Sequence, residues 1–280
     1  MQDHGVHTRK QLHTRGFNPS QIRTAVNRGR LRRIRPGWFA TPQADLNAVR
    51  AVALGGCCGC ISALRHHGVW VPETTKLHMR AADHITVKHS SCRPFGANPP
   101  VVSAVDDIDT ATRSAARCLN DEQFVVVLDS LLHLKRATEH QLRTWLRQAP
   151  LRVQRLVDMT AEAEAGTETM TRLRLRAKGV RARTQVWLAA DCRVDLLIGD
   201  RLVIECDSER WHGSWEARER DLARDRMLVA KGFLVIRLSY RQIHDQWPLI
   251  ERDLLQIIRD RRHVWPRQRT EVGLSGAPRG

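Results

Sequence analysis

The stretch from Arg193 to Asp207 constrains the fold of this chain more than any other. Two runs rich in β-branched and aliphatic residues flank Gly199-Asp200, the signature of a β-hairpin. Asp195 lies inside the first run, and Glu205 and Asp207 lie inside the second. A carboxylate within an otherwise apolar strand is costly unless it is paired or bound to a cation. Strand residues two apart share a face, so Glu205 and Asp207 project together, roughly 6–7 Å apart at their base. A suitable register brings Asp195 within about 4.5–5.5 Å of Glu205 at Cβ. Converging carboxylates form a hard-oxygen site suited to Mg²⁺ or Mn²⁺. The same alternation also fits an edge hairpin whose acids simply face water.

A net charge of +16 points to a polyanionic partner, most simply nucleic acid. The excess is local: residues 1–40 hold nine Lys and Arg against the single acid Asp3, a net of +8. With 280 residues, 42% of them hydrophobic, the chain can build two domains with proper cores and is not wholly disordered. The Met1-Gln2-Asp3-His4 start has no apolar signal region, and Ala51–Leu64 is too short and Gly-rich to span a bilayer, so a cytoplasmic protein is expected. Seven cysteines, an odd number, fit a reducing compartment better than a disulfide framework.

At the N-terminus, residues 6–16 read as a helix capped by Thr8 and closed at Gly16. A second helix starts at Asn18-Pro19, with Ile22 and Val26 on one face, and ends at Gly29. Leu31, Ile34, Trp38 and Phe39 mark two short strands around Pro36-Gly37. Two helices and a basic β-turn-β are the parts of a winged helix-turn-helix, whose second helix enters the major groove while the wing meets the backbone. Arg23, Arg28, Arg30, Arg32, Arg33 and Arg35 are the expected DNA contacts. Through Gln11-Leu12, Gly16, Ile22, Gly29-Arg30-Leu31 and Arg35-Pro36-Gly37-Trp38-Phe39 this stretch resembles the winged-helix module of AbiEi-type antitoxins, which implies DNA binding and allows a toxin partner.

Residues 43–159 read as a mixed support region. Ala44–Leu54 and Glu122–Leu134 have helical patterns, the latter amphipathic. Asp106, Asp107 and Asp109 suit a helix N-terminus, and His78, Thr86-Val87-Lys88 and Val101-Val102 suggest short strands. Cys57 and Cys60 have zinc spacing, but no second C-x-x-C follows and Cys92 stands alone. Small residues packing a buried helix account for this run.

A further unit spans 160–262. Thr167 can cap a helix ending at Gly179, with Glu168 in its first turn. Arg183–Leu188 is a strand leading into the hairpin. Glu216–Lys231 is a helix with Leu222, Leu228 and Val229 on its apolar side and Arg218, Asp221, Arg224 and Asp225 on its polar side, the last three as an ion-pair lattice tying helix to sheet. Phe233–Leu238 reads as a buried strand, Pro248–Arg259 as a last helix, and residues 263–280 as a disordered tail. The expected fold is multidomain α/β: a winged helix (1–42), the support region (43–159) and a mixed sheet flanked by helices (160–262).

Glu168, Arg193-Val194-Asp195, Glu205-x-Asp207, Trp211-His212, Arg220-Asp221-x-x-Arg224-Asp225 and Lys231-Gly232-Phe233-x-x-x-Arg237 follow in order. The series resembles a domain family of unassigned function related to the very-short-patch-repair endonuclease, within the PD-(D/E)XK, restriction-endonuclease-like superfamily. The resemblance implies metal-assisted phosphodiester hydrolysis, with Asp195 and Glu205 as metal ligands, the Cys206 carbonyl as a further one, and Glu168 contributing from its helix. Asp207 stands where the superfamily has Lys, and Ser208 where many relatives have Gly. His212 is then the natural general base or acid. Two functions follow: a metal-dependent DNA endonuclease, or a DNA-binding, antitoxin-like regulator whose nuclease fold is inactive.

Overall fold

Side-chain caps fix where the first helices begin. The computed structural model describes residues 4–83, 91–207 and 215–266, and the chain forms two compact units, 1–173 and 174–280. In the first unit β1 (Val6–Thr8) precedes α1 (Arg9–Thr14) and α2 (Pro19–Asn27). The Thr8 hydroxyl accepts from the Gln11 amide while the Gln11 side chain accepts from the Thr8 amide, and Asn18 with Gln21 repeats this reciprocal cap. The helix expected from residue 6 therefore starts three residues later, because Val6 and His7 pair with Ala40 and Phe39. β2 (Arg32–Arg35) and β3 (Trp38–Ala40) turn at Gly37, whose φ of +79° favours glycine. The antiparallel sheet has the order β1-β3-β2. Leu12, Ile22, Ala25, Leu31 and Phe39 form a small core of their own.

The chain continues as α3 (Leu46–Ala53), β4 (Cys57–Cys58), α4 (Cys60–His66), β5 (Met79–Arg80) and α5 (Ile108–Cys118). Then come α6 (Asp121–His133), α7 (Glu139–Leu146), α8 (Leu151–Gln154), a 3₁₀ turn (Arg155–Met159) and α9 (Gly166–Ala177). Helix α6 is not amphipathic as its pattern promises: Phe124 to Leu131 are buried without a break. Burial there extends to Asp129, whose carboxylate accepts from Arg172 Nη2 (2.9 Å), Thr169 Oγ1 (2.8 Å) and the Ala161 amide (3.0 Å).

The Asp106, Asp107 and Asp109 cluster also divides. Asp107 caps α5, and Asp109 pairs with Arg113 one turn on. Asp106 instead takes a two-pronged pair from buried Arg80, at 2.8 and 2.7 Å. Val101 and Val102 carry no strand, and Thr86-Val87-Lys88 lies outside the described residues. Thr167 lies within α9, not at its cap, with its hydroxyl buried.

The second unit carries β6 (Ala182–Ala189), β7 (Cys192–Ile198), β8 (Leu202–Asp207), α10 (Trp215–Ala230), β9 (Leu234–Ser239), α11 (Tyr240–Asp245) and α12 (Trp247–Arg259). Its mixed sheet has the order β6-β7-β8-β9. The hairpin pairs β7 with β8 antiparallel, and α10 is the crossover that returns β9 parallel to β8. Strand β9 ends the sheet, so most of its apolar run is half-buried and not enclosed. Leu228 faces the core, but Leu222 and Val229, expected beside it, are exposed. Beyond α12 the chain is pinned to the hairpin turn: the His263 carbonyl accepts from the Asp200 and Arg201 amides, and the Trp265 amide donates to Asp200. That anchoring replaces the disorder expected from residue 263. Residues 267–280 lie outside the described residues. The molecule is a multidomain α/β protein. No helix among the described residues is long and apolar enough to cross a membrane.

Candidate active site

Register decides whether the hairpin acids meet. Leu196 pairs with Ile204, Leu197 with Val203 and Ile198 with Leu202, so one further step sets Asp195 opposite Glu205. The two carboxyls lie within hydrogen-bonding reach of each other. Asp195 Oδ2 accepts from the Cys206 amide at 2.8 Å, and Oδ1 faces the Gln185 side-chain amide at 3.5 Å. Glu205 is 4% exposed, and its Oε1 finds no hydrogen-bond donor among the described residues. The Arg224 guanidinium stands 3.4 Å from that oxygen, near enough to act by charge but not aligned for a hydrogen bond.

Electrostatics follow from this crowding. Burial, and then the adjacent Asp195 charge, push the Glu205 carboxyl up to about 8. Burial raises Asp195 as well, against the Cys206 amide that favours its charged form. A half-buried and a buried carboxyl, the latter with an unsatisfied oxygen, form a donor set that a divalent cation fits. Ionising both without such a charge nearby is unfavourable.

The remaining acids behave differently. Asp207 shares the Glu205 face but is half-exposed and bound by Arg237 at 2.9 Å, and Arg237 also grips Asp225 at 2.7 Å. Asp225 thus joins a lattice linking α10 to the sheet, whereas Arg224 reaches Glu205 itself. Glu168 falls in the first unit, 2% exposed, where its carboxylate accepts from the Glu164 amide before α9. Ser208, Trp211 and His212 lie outside the described residues. In the N-terminal head Arg23, Arg28, Arg30, Arg32 and Arg33 are exposed, and no carboxylate pairs with them among the described residues. Arg35 differs: it is half-buried, and its guanidinium lies 5.3 Å over the Trp38 ring.

Gln185 was not visible in the sequence as a site residue. A lone amide in a strand carries no signal until the register places it beside Asp195. Its φ of +50° is rare for a non-glycine residue and marks a locally strained strand.

The acidic pair lies on the two central strands of the mixed sheet, and a family match supports an endonuclease-like domain in the C-terminal region. Residues 168–258, from the first turn of α9 to the last turn of α12, match the family model REase_MTES_1575, a restriction-endonuclease-like family. No curated protein matches the chain.

Proposed function

We propose that this chain is a DNA-binding, metal-dependent endonuclease that hydrolyses phosphodiester bonds. The observation that carries the reading is the pairing of half-buried Asp195 with buried Glu205, whose Oε1 lacks a donor among the described residues. Asp195 and Glu205 would hold Mg²⁺ or Mn²⁺, which when bound supplies a polarised phosphodiester and a water of lowered pKa. The Cys206 amide and Gln185 orient Asp195, while Arg224 offsets negative charge beside Glu205. His212 is the proposed general base or acid on sequence grounds. DNA is engaged by a winged helix-turn-helix, in which α2 offers Gln21, Arg23 and Thr24 and the β2–β3 wing offers Arg32 and Arg33, with Arg28 and Arg30 between them. Arg35 supports the wing through Trp38.

One observation favours a second reading. Asp207 occupies the position of the superfamily's Lys and is neutralised by Arg237, so among the described residues no free cation is placed there to steady an attacking water. A DNA-binding, antitoxin-like regulator with a silent nuclease fold accommodates this, and a toxin partner belongs to that reading. Incubating the protein with plasmid and oligonucleotides in Mg²⁺, Mn²⁺ or EDTA, beside Asp195→Ala, separates the two. The nuclease nicks DNA only with metal and loses at least about 10²-fold in rate in the variant. Metal-dependent nicking that Asp195→Ala leaves intact would sink the site assignment. No cleavage under any condition, with tight sequence-specific binding, establishes the regulator.

A further inference from the structure

Four side chains of the first unit, none of them used by the nuclease-type reading, converge on one point. The sulfurs of Cys60, Cys92 and Cys118 and a ring nitrogen of His78 all lie within 4.8 Å of one another. Cys92 Sγ is 3.7 Å from Cys118 Sγ and 3.5 Å from His78 Nδ1. A disulfide requires about 2.05 Å between sulfurs, and all three cysteines are free thiols. A tetrahedral zinc ion binds sulfur at about 2.3 Å and imidazole nitrogen at about 2.0–2.1 Å. Those bond lengths set sulfurs roughly 3.8 Å apart and sulfur from nitrogen roughly 3.6 Å apart. Cys92 already holds these separations from Cys118 and from His78, and every other pair of the four lies within 4.8 Å.

We propose that Cys60, His78, Cys92 and Cys118 form a structural Zn²⁺ site of the Cys₃His type. The backbone around the four is arranged to present them. The β4–β5 ladder pairs Cys58 with Met79, and the Gly59 amide donates to the His78 carbonyl at 3.0 Å. A Cβ on Gly59 would stand 3.0 Å from both Arg80 and Asp106, so the close approach of these segments favours glycine. The Cys92 amide donates to the Met79 carbonyl at 2.7 Å, and Cys118 is the last residue of α5. Cys60 is held at φ +49°, a conformation non-glycine residues rarely adopt without a local reason.

The C-x-x-C spacing of Cys57 and Cys60 points to the wrong pair. Cys57 donates to Asp106 Oδ1 at 3.1 Å and belongs to the buried Arg80–Asp106 pair instead. Three thiolates and one imidazole fill all four positions, and a closed tetrahedral set is structural, not catalytic. The need for it is local. Between α4 and α5 the described chain has a single two-residue strand, and connections this long are uncommon unless something fastens them. An ion bound to residues 60, 78, 92 and 118 fastens that stretch to α4 and α5.

Elemental analysis of the full-length protein, dialysed after purification without added metal, tests the site. One zinc per chain is expected, retained by Asp195→Ala and by Cys57→Ala, and lost on Cys92→Ser or Cys118→Ser. The cobalt-substituted wild-type protein should show a thiolate-to-cobalt charge-transfer band and the intense visible bands of a tetrahedral S₃N site. That spectrum reports the ligand set even if a variant fails to fold. Zinc that leaves with Asp195→Ala would belong to the carboxylates and overturn the proposal. So would a Cys92–Cys118 disulfide in the purified protein, or three freely reactive thiols with no bound zinc.

Discussion

At the scale of single residues, Glu205 makes the sharpest prediction. Its carboxyl is raised from 4.5 to about 8, first by burial and then by Asp195. A carboxyl with a raised folded pKa binds its proton more tightly folded than unfolded. Its contribution to stability is therefore complete below about 4.5 and is lost as pH rises through about 8. In EDTA, the urea midpoint of the protein should fall across that window, and Glu205→Gln should flatten the fall. Added Mg²⁺ should stabilise the wild type more at pH 8 than at pH 5, because the ionised pair is the binding form. A metal-free midpoint that is level between pH 5 and 8 would show that Glu205 ionises freely and is not held in a tight acidic pair. Arg224 belongs to the same balance, since its guanidinium is placed to favour the charged form of Glu205.

At the scale of elements, the buried link between α6 and α9 carries the next prediction. Arg172 reaches Asp129, a carboxylate with no exposed surface, and burial raises the Asp129 pKa despite that partner. Removing one partner of a buried ion pair strands the other charge, at a cost of about 3–5 kcal/mol. Arg172→Ala should therefore lower the unfolding free energy by that order in urea titrations. The double change Arg172→Met with Asp129→Leu should recover much of it, as the unpaired charge is gone. Equal losses in the single and double variants would mean that packing around Arg172, not its charge, holds the helices. Neither partner was legible as a pair in the sequence, where they lie 43 residues apart. What was legible is what local physics writes: the Thr8 cap, the helix start at Asn18-Pro19, the Gly199-Asp200 turn, and helix and strand periods in the second unit. Three features depended on distant contacts and stayed hidden. These are the pairing of Val6 and His7 into a sheet, the edge position of β9, and the burial of all sides of α6. The site divides the same way. Asp195 and Glu205 stood out as acids in apolar strands, while Gln185 and the Cys60, His78, Cys92 and Cys118 cluster needed tertiary register to assemble.

At the scale of the whole molecule, charge and chemistry are written in different parts of the chain. Half of the +16 net charge falls within the first 40 residues, and the acidic pair lies far along the sequence in the endonuclease-like domain. On the proposed function, that separation should make DNA affinity and DNA cleavage independently removable. Each phosphate neutralised by the head should contribute about 0.9 to the slope of log affinity against log salt. Replacing Arg32 and Arg33 with Ala should therefore weaken binding across sequences and reduce the slope by up to about 2. Arg35→Ala should act differently, because its guanidinium covers Trp38 and is half-buried: a loss of stability is expected in place of a full unit of slope. Asp195→Ala should leave the slope untouched while abolishing metal-dependent nicking. Fluorescence anisotropy on one labelled duplex at several salt concentrations measures all four proteins on one scale. An unchanged slope in the Arg32 and Arg33 variant would show that the basic head is not the docking surface. A slope altered by Asp195→Ala would show that the acidic pair contributes to binding, and affinity and cleavage would then share one site.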